Sequence, residues 1–470
     1  MENMHTKKYD IISKGKYLLL TLGIMGLMVG TTACGTVNGK SDAEPEKKSV
    51  SQEKMIQEVI ANAGNPKELV AEKGATIEIT YWTGSSSDED AWTAVLDDLE
   101  ADHPEIKIIR QRYPSNEYWD VMDARMSAGD WPDVMRYQYQ NLGEFKSNGV
   151  MLDMTPYLSS EELDDITDGF LAGCIYDGKI VALPHHTDVI AMFYNKRMFE
   201  DAGIRIPKSI EDAYSWDELM EIARTLKSQY NLYYGGAGIW ENNYGYRYLP
   251  FVYMNGGALL SEDQTKITVD TSEFREALQF YDDMRAEDLF ASTGFTAPLA
   301  ANDMFTSEQI AFNFAGSWHC SSMEENMPGN WGVTYMPQKD GRTGTDMGGN
   351  SLFCYKDTKY PIAASIVVSY ITNKQEMQKF CEIGNFIPVR GSLLESGISY
   401  KNFPEEMKLF NEVALTLDPK MAADETSVVF KKLNNIFSKN MDLMVVNRTA
   451  TVDDVIDSCR KEMTDVLNEQ

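Results

Sequence analysis

Residues 76–82 read Thr-Ile-Glu-Ile-Thr-Tyr-Trp, apolar at every second position, which predicts a strand with one buried face. Gly84-Ser-Ser-Ser87 then reads as a turn. Ser87 ahead of Asp88, Glu89 and Asp90 reads as a helix start, where a hydroxyl caps free amides and acids meet the positive end of the helix dipole. Trp92, Val95, Leu96 and Leu99 follow at i, i+3, i+4 and i+7, one apolar stripe, and His103-Pro104 ends it. Residues 105–109 predict the next strand, 116–128 a helix and 133–137 another short strand. Alternation of strand, helix and strand builds parallel sheets with helices on their faces.

The pattern continues downstream. Ser215 and Glu218 form a capping box ahead of a stripe of Leu219, Ile222, Ala223 and Leu226. Ser272 starts a helix with Phe274, Ala277, Leu278 and Tyr281 on one face. Residues 310–314 and 331–336 predict strands, 361–372 a buried helix, and the chain beyond Glu405 is largely helical. No internal repeat is found. Two α/β lobes suit a chain of 470 residues.

The first residues break the pattern. Lys7, Lys8, Lys14 and Lys16 precede an apolar run over 17–30, then Thr31-Thr-Ala-Cys34-Gly35. A basic start, a short apolar stretch and small residues before a cut mark an export signal, too short for the ~20 residues a membrane span needs. The end of this segment resembles a bacterial lipobox, which implies that Cys34 becomes the lipidated first residue of the exported protein, held by more than one acyl chain. Residues 34–75, rich in Lys, Glu, Ser and Ala, predict a flexible tether with a short helix near Met55–Ile60.

Charge changes the picture further. The net charge of −29 argues against nucleic acid, because phosphate neutralisation needs Lys and Arg. Cleavage before Cys34 removes four lysines against two acids and leaves the rest more acidic still. Cys174, Cys320, Cys354, Cys381 and Cys459 are far apart and include no C-x-x-C pair, so they predict buried small side chains rather than a disulfide framework or zinc ribbon.

Several segments taken in order resemble an extracellular solute-binding protein of the carbohydrate-binding, maltose-binding-like type. They are Ile79-Thr-Tyr-Trp82 with its acidic helix, Gly129-Asp-Trp-Pro-Asp133-Val134, Asp177-Gly-Lys-Ile-Val-Ala-Leu-Pro184 through Tyr194-Asn-Lys196, Asn255-Gly-Gly257, Ile310 through Gly316-Ser-Trp318, Trp331-Gly-Val and Gly384-Asn-Phe-Ile-Pro-Val-Arg390. The resemblance implies an α/β, two-lobed periplasmic-binding-protein-like (type II) fold with a hinge and an interlobe ligand cleft. Beyond the signal peptide read over 1–33, it implies one lobe from 76–188 plus 350–383, and a second from 189–349 plus 384–470.

A sugar site needs flat aromatic faces and planar hydrogen-bonding groups. Trp82 ends the first strand and Ser85 follows it, at the carboxyl end where ligands gather on parallel sheets. Tyr137, Gln138, Tyr139 and Gln140 follow another strand. His186 and Asp188 sit at the first lobe crossing, and His-His-x-Asp is not zinc spacing for a helix. The resemblance adds Trp240, Glu241, Tyr244 and Tyr246 on the second lobe's cleft side and Trp318 at the family's stacking position. It also adds Gly349 and Asn350 at the second crossing and Arg390 after the third.

The expected protein is therefore a monomeric binding lipoprotein, anchored on the outer face of a bacterial, Gram-positive, cell membrane. It captures a mono- or oligosaccharide for the transmembrane subunits of an ABC permease, with no cofactor, no metal and no catalysis. A binding protein for a peptide, polyol or opine, or a ligand sensor, would use the same fold. A secreted glycoside hydrolase would need two carboxylates ~5–10 Å apart; no G-x-S-x-G, H-E-x-x-H or full phosphate loop is present. Stacked aromatics favour sugar, and paired arginines would favour a carboxylate ligand.

Overall fold

The computed structural model describes residues 46–64, 69–240, 245–291, 295 and 301–469. Its two larger sheets use β1 Thr76–Thr83, β2 Lys107–Pro114, β3 Val134–Gln138, β4 Leu183–His186, β5 Ile190–Asn195, β6 Gly236–Gly238, β7 Phe312–Gly316, β8 Trp331–Thr334 and β9 Asn350–Cys354. The helices used below are α1 Glu46–Ala61, α2 Ser86–Asp102, α3 Ser115–Ser127, α4 Leu142–Asn148, α5 Trp216–Tyr230, α6 Ser272–Ala286, α7 Ala301–Thr306, α8 Pro361–Thr372, α9 Lys374–Gly384, α10 Pro419–Glu425, α11 Phe430–Val445 and α12 Val452–Asn468.

The first sheet has the order β2-β1-β3-β9-β4, with β1 parallel to β2 and β3 and with β9 antiparallel to β3 and β4. The second has the order β8-β5-β7-β6, with β6 and β7 parallel. The chain leaves the first sheet at β4, enters the second at β5, and returns at β9. This is an α/β fold of two sheets, each packed into its own apolar core.

Local sequence accounts for most elements. On α2, Trp92, Val95, Leu96 and Leu99 are fully buried, as are the stripe residues Phe274, Ala277, Leu278 and Tyr281 on α6. The Ser215–Glu218 capping box closes the start of α5 with both reciprocal bonds present. The cap of α2 is Ser85 rather than Ser87, its hydroxyl accepting the Asp88 N–H, and Ser87 lies inside the helix. Strand β2 starts and ends later than its apolar run; it lies at the sheet edge, where one face stays wet and register is loosely specified. The five cysteines after Cys34 are free and buried.

The expected flexible tether needs correction. Residues 46–61 form one helix, and Ile56, Val59 and Ile60, spaced i, i+3 and i+4, are buried in the first-sheet core. Farther on, the Glu72 carboxylate accepts the Ile362 and Ala363 N–H groups at 2.9 Å each, satisfying orphan donors at the start of α8. The stretch from Ile56 to Ile60 and Glu72 therefore belong to the folded body. Cys34 and the export segment lie outside the described residues. Phe386, Val389 and Leu393, expected in the second lobe, pack instead in the first-sheet core. Among the described residues no helix is long and apolar enough to cross a membrane.

Candidate functional site

A cavity of about 250 Å³ opens where the strand ends of the two sheets face each other. From the first sheet come Trp82, Ser85, Asp88, Arg136 and Gln138; from the crossings come Asp188, Asn350 and Phe386. The second-sheet side supplies Ile239, Arg247, Asn302, Trp318 and His319. Trp82 ends β1, Gln138 ends β3, Ile239 follows β6 and Trp318 follows β7, so the site sits at carboxyl ends, as open α/β sheets dictate.

Each tryptophan carries a guanidinium. Arg136 lies 4.4 Å from the Trp82 ring centre and Arg247 lies 4.6 Å from that of Trp318. Neither cation is unbalanced. Arg136 Nη1 donates to Trp82 O at 2.6 Å and to Asp88 Oδ2 at 3.1 Å. Arg247 Nη1 donates to Asp346 Oδ2 at 2.6 Å, and Asp188 stands 3.9 Å from its other arm. Burial pushes the Asp88 and Asp346 carboxyls above the ordinary carboxylate range, against the pull of their arginines. Asp188 is pushed up to about 7, mainly by burial and further by Asp346, although Arg247 and Arg136 oppose the rise.

Two glycines make room. A side chain at Gly316 would collide with the Trp318 ring, so only glycine lets the indole fold over the end of β7. Gly349 has φ +94 and lies against the His186 carbonyl, where no other residue fits without strain.

The floor is a chain of neutral amide and imidazole groups that ends on the Arg136 guanidinium. In the orientation that satisfies both of its groups, the Asn350 amide accepts from His186 Nε2 at 3.1 Å and from Arg136 Nη2 at 3.2 Å, and donates to Gly349 O. This assigns the proton of His186 to Nε2 and leaves its Nδ1 to accept from His185 Nδ1 at 3.2 Å. Burial holds both imidazoles well below their usual range and therefore uncharged. On the opposite wall His319 is depressed to about 3 by burial and by Arg247, and Asn302 Nδ2 donates to its ring at 2.9 Å.

Among the sequence candidates, Trp82, Ser85, Gln138, Asp188, Trp318 and Asn350 line the cavity. Others stand elsewhere. Tyr137 packs against Trp119, Phe145 and Phe353 in the core, because its side of β3 faces away from the cleft. Gln140 is turned toward Glu425. His186 acts behind Asn350, and Gly349 supports it through the backbone. Trp240 is stacked on Phe290 at 12° with its N–H on the Tyr281 hydroxyl, a core tryptophan one residue beyond the lining Ile239. Tyr246 is buried under Arg247. Arg390 donates twice to Thr372 O and once to Glu162 O, and so ties the end of α8 to a short helix over Ser160–Asp164, away from the cleft. Glu241 and Tyr244 lie outside the described residues.

Sequence reading missed Arg136, Arg247, Asn302 and His319, and took Asp88 only as a helix-start acid. A signal existed for Arg136: a lone charge inside a short apolar strand must find a partner when that strand is central. Among the described residues no group of three or more His, Cys, Asp or Glu is placed to hold a metal ion.

Residues 94–407 match the profile of the bacterial extracellular solute-binding proteins. The chain belongs to that family. It is 22% identical over 351 residues to the multiple sugar-binding protein of Streptococcus mutans, covering 72% of this chain and 81% of that one. It is likewise 22% identical over 395 residues to the arabinooligosaccharide-binding protein of Halalkalibacterium halodurans, covering 78% and 84%. Among solved structures, the GacH receptor of Streptomyces glaucescens, studied unliganded and with acarbose, superposes with a TM-score of 0.71 at 21% identity, over 85% of this chain and 100% of that chain. Maltose-bound MalE3 of T. maritima gives 0.68 at 21% identity, over 83% and 100%. The two-lobed binding-protein fold is thus shared throughout, although sequence has diverged widely.

Proposed function

We propose that this solute-binding protein captures a neutral mono- or oligosaccharide between its lobes and delivers it to the transmembrane subunits of an ABC importer. The observation that carries this reading is one cavity walled by Trp82 from the first sheet and Trp318 from the second, with Ser85, Gln138, Asp188, Asn302, His319 and Asn350 around them. Indole faces suit the apolar faces of sugar rings, and planar amides, carboxylates and imidazoles suit their hydroxyl rims. The relatives named for sugars support the same ligand class.

Two cleft arginines would suit a carboxylate ligand if they were unbalanced. Arg136 is matched by Asp88, and Arg247 by Asp346 with Asp188 nearby, so an added anion would meet like charges. A neutral ligand needs no such compensation. The lobes follow the two sheets and their crossings, and Cys34 supplies a lipid anchor that keeps the monomeric body at the outer face of the cell membrane. Binding without hydrolysis is the expected chemistry.

A thermal-shift screen across neutral sugars, uronic acids, peptides and amino acids tests the reading, because a ligand bound only by the native state raises the melting temperature. A rise with one or more neutral sugars and unchanged sugar on recovery is expected. Shifts with peptides or amino acids alone would overturn it.

A further inference from the structure

Behind the cleft, Gln140 and Glu425 join parts of the chain 285 residues apart. Gln140 follows β3 of the first sheet, and its Nε2 donates to Glu425 Oε2 at 2.9 Å and also to Met347 O. Glu425 is the last residue of α10. Its neighbour Asp424 points the other way, accepting the Tyr253 hydroxyl at 2.5 Å and the Leu260 N–H at 3.1 Å on the second-sheet side. Two consecutive acids, both fully buried, therefore grip opposite lobes. Met347 in turn follows Asp346, the carboxylate that seats Arg247 against Trp318.

This junction is not built for stability. Gln140 Oε1 is buried without a hydrogen-bond partner among the described residues, so the bonds from Nε2 offset the desolvation of the amide only in part. None of these atoms reaches the cavity, so ligand contact does not explain them either.

We propose that Gln140 and Glu425 are positioning residues: a polar latch across the hinge that sets the angle between the lobes before any ligand arrives, and through Met347 and Asp346 sets the place of Arg247. The latch rests on the reading that a ligand is captured between the lobes, but its operation can be read without one. Small-angle scattering of the ligand-free full chain is compared among wild type, Q140L/E425L and E425Q, alongside thermal melting.

The double variant is expected to lower the melting temperature modestly, because the Met347 carbonyl loses its donor, while its radius of gyration shifts beyond the repeat error. E425Q, which retains an acceptor for Gln140, is expected to keep the wild-type radius. An unchanged radius in Q140L/E425L overturns the latch, and so does a fall in melting temperature with no change of shape, which marks a merely structural pair. Should the double variant fail to fold, Q140M is measured in its place: a shifted radius supports the latch and an unchanged one overturns it. A sugar screen without hits would sink the ligand assignment and leave this measurement standing.

Discussion

Arg247 and Asp346 form an ion pair at 2.6 Å, almost wholly out of water, and the same guanidinium lies 5.0 Å from the Tyr246 ring centre and 4.6 Å from that of Trp318. The pair links the second crossing to the cleft wall. Asp346 also accepts the Ile190 N–H at 3.0 Å, at the first residue of β5. Removing the carboxylate therefore strands a buried cation and frees a crossing strand at once. D346A is expected to cost about 3–5 kcal/mol of stability, read by chemical denaturation, and D346N less, because the amide keeps an acceptor for the guanidinium.

Trp318 is half-buried and touches both cores, yet presents a face to the cavity. Truncating an aromatic anchor in a well-packed site costs about 2 kcal/mol or more, or roughly thirtyfold in affinity. W318A should lower affinity for whichever sugar the screen returns by at least that factor while circular dichroism stays native. Retained affinity would return Trp318 to a purely packing role.

Asp188 makes stability pH-dependent. Its pKa is raised from 3.8 to about 7, so in this window the folded chain holds a proton that the unfolded chain has lost. Its contribution falls as pH rises from about 4 to about 7 and is flat above. The imidazoles of His185 and His186, both buried, and of His319, half-buried in the cavity wall, act in the opposite sense, favouring unfolding as pH falls below the usual histidine range. The difference isolates Asp188: the melting temperature of D188N relative to wild type should increase between pH 5 and pH 8. A difference independent of pH would refute the assignment.

Arg390 separates fold from site. Its guanidinium holds the Thr372 and Glu162 carbonyls and meets Asp165 at 3.4 Å. R390A should lower the melting temperature by several degrees, because buried carbonyls lose their donors, and leave sugar affinity within twofold in calorimetry.

Much of the fold was legible because its signals are local. The stripe of α2, the capping box of α5 and the apolar stretch of α8 are periodicities within one turn or two, and each became an element at or near the expected residues. Of the helix at 46–61 only the short stretch near Met55–Ile60 was legible, because charged neighbours hid its i, i+3, i+4 apolar set. Of the site, the candidates directly after β1 and β7 line the cavity, since a carboxyl-end position can be placed once the strand is placed.

The remaining site residues depend on partners far along the chain. Arg136 meets Asp88 across 48 positions, Arg247 meets Asp346 across 99, and Gln140 meets Glu425 across 285. The sequence by itself determined the α/β elements, the family order of motifs and the acidic surface, since these follow from local periodicity and composition. Only the tertiary structure decided that Trp240 is core, that Arg390 is a brace and that two other arginines share the cleft. Burial and pairing are properties of sheet topology, which brings distant carboxylates and guanidiniums to the same strand ends.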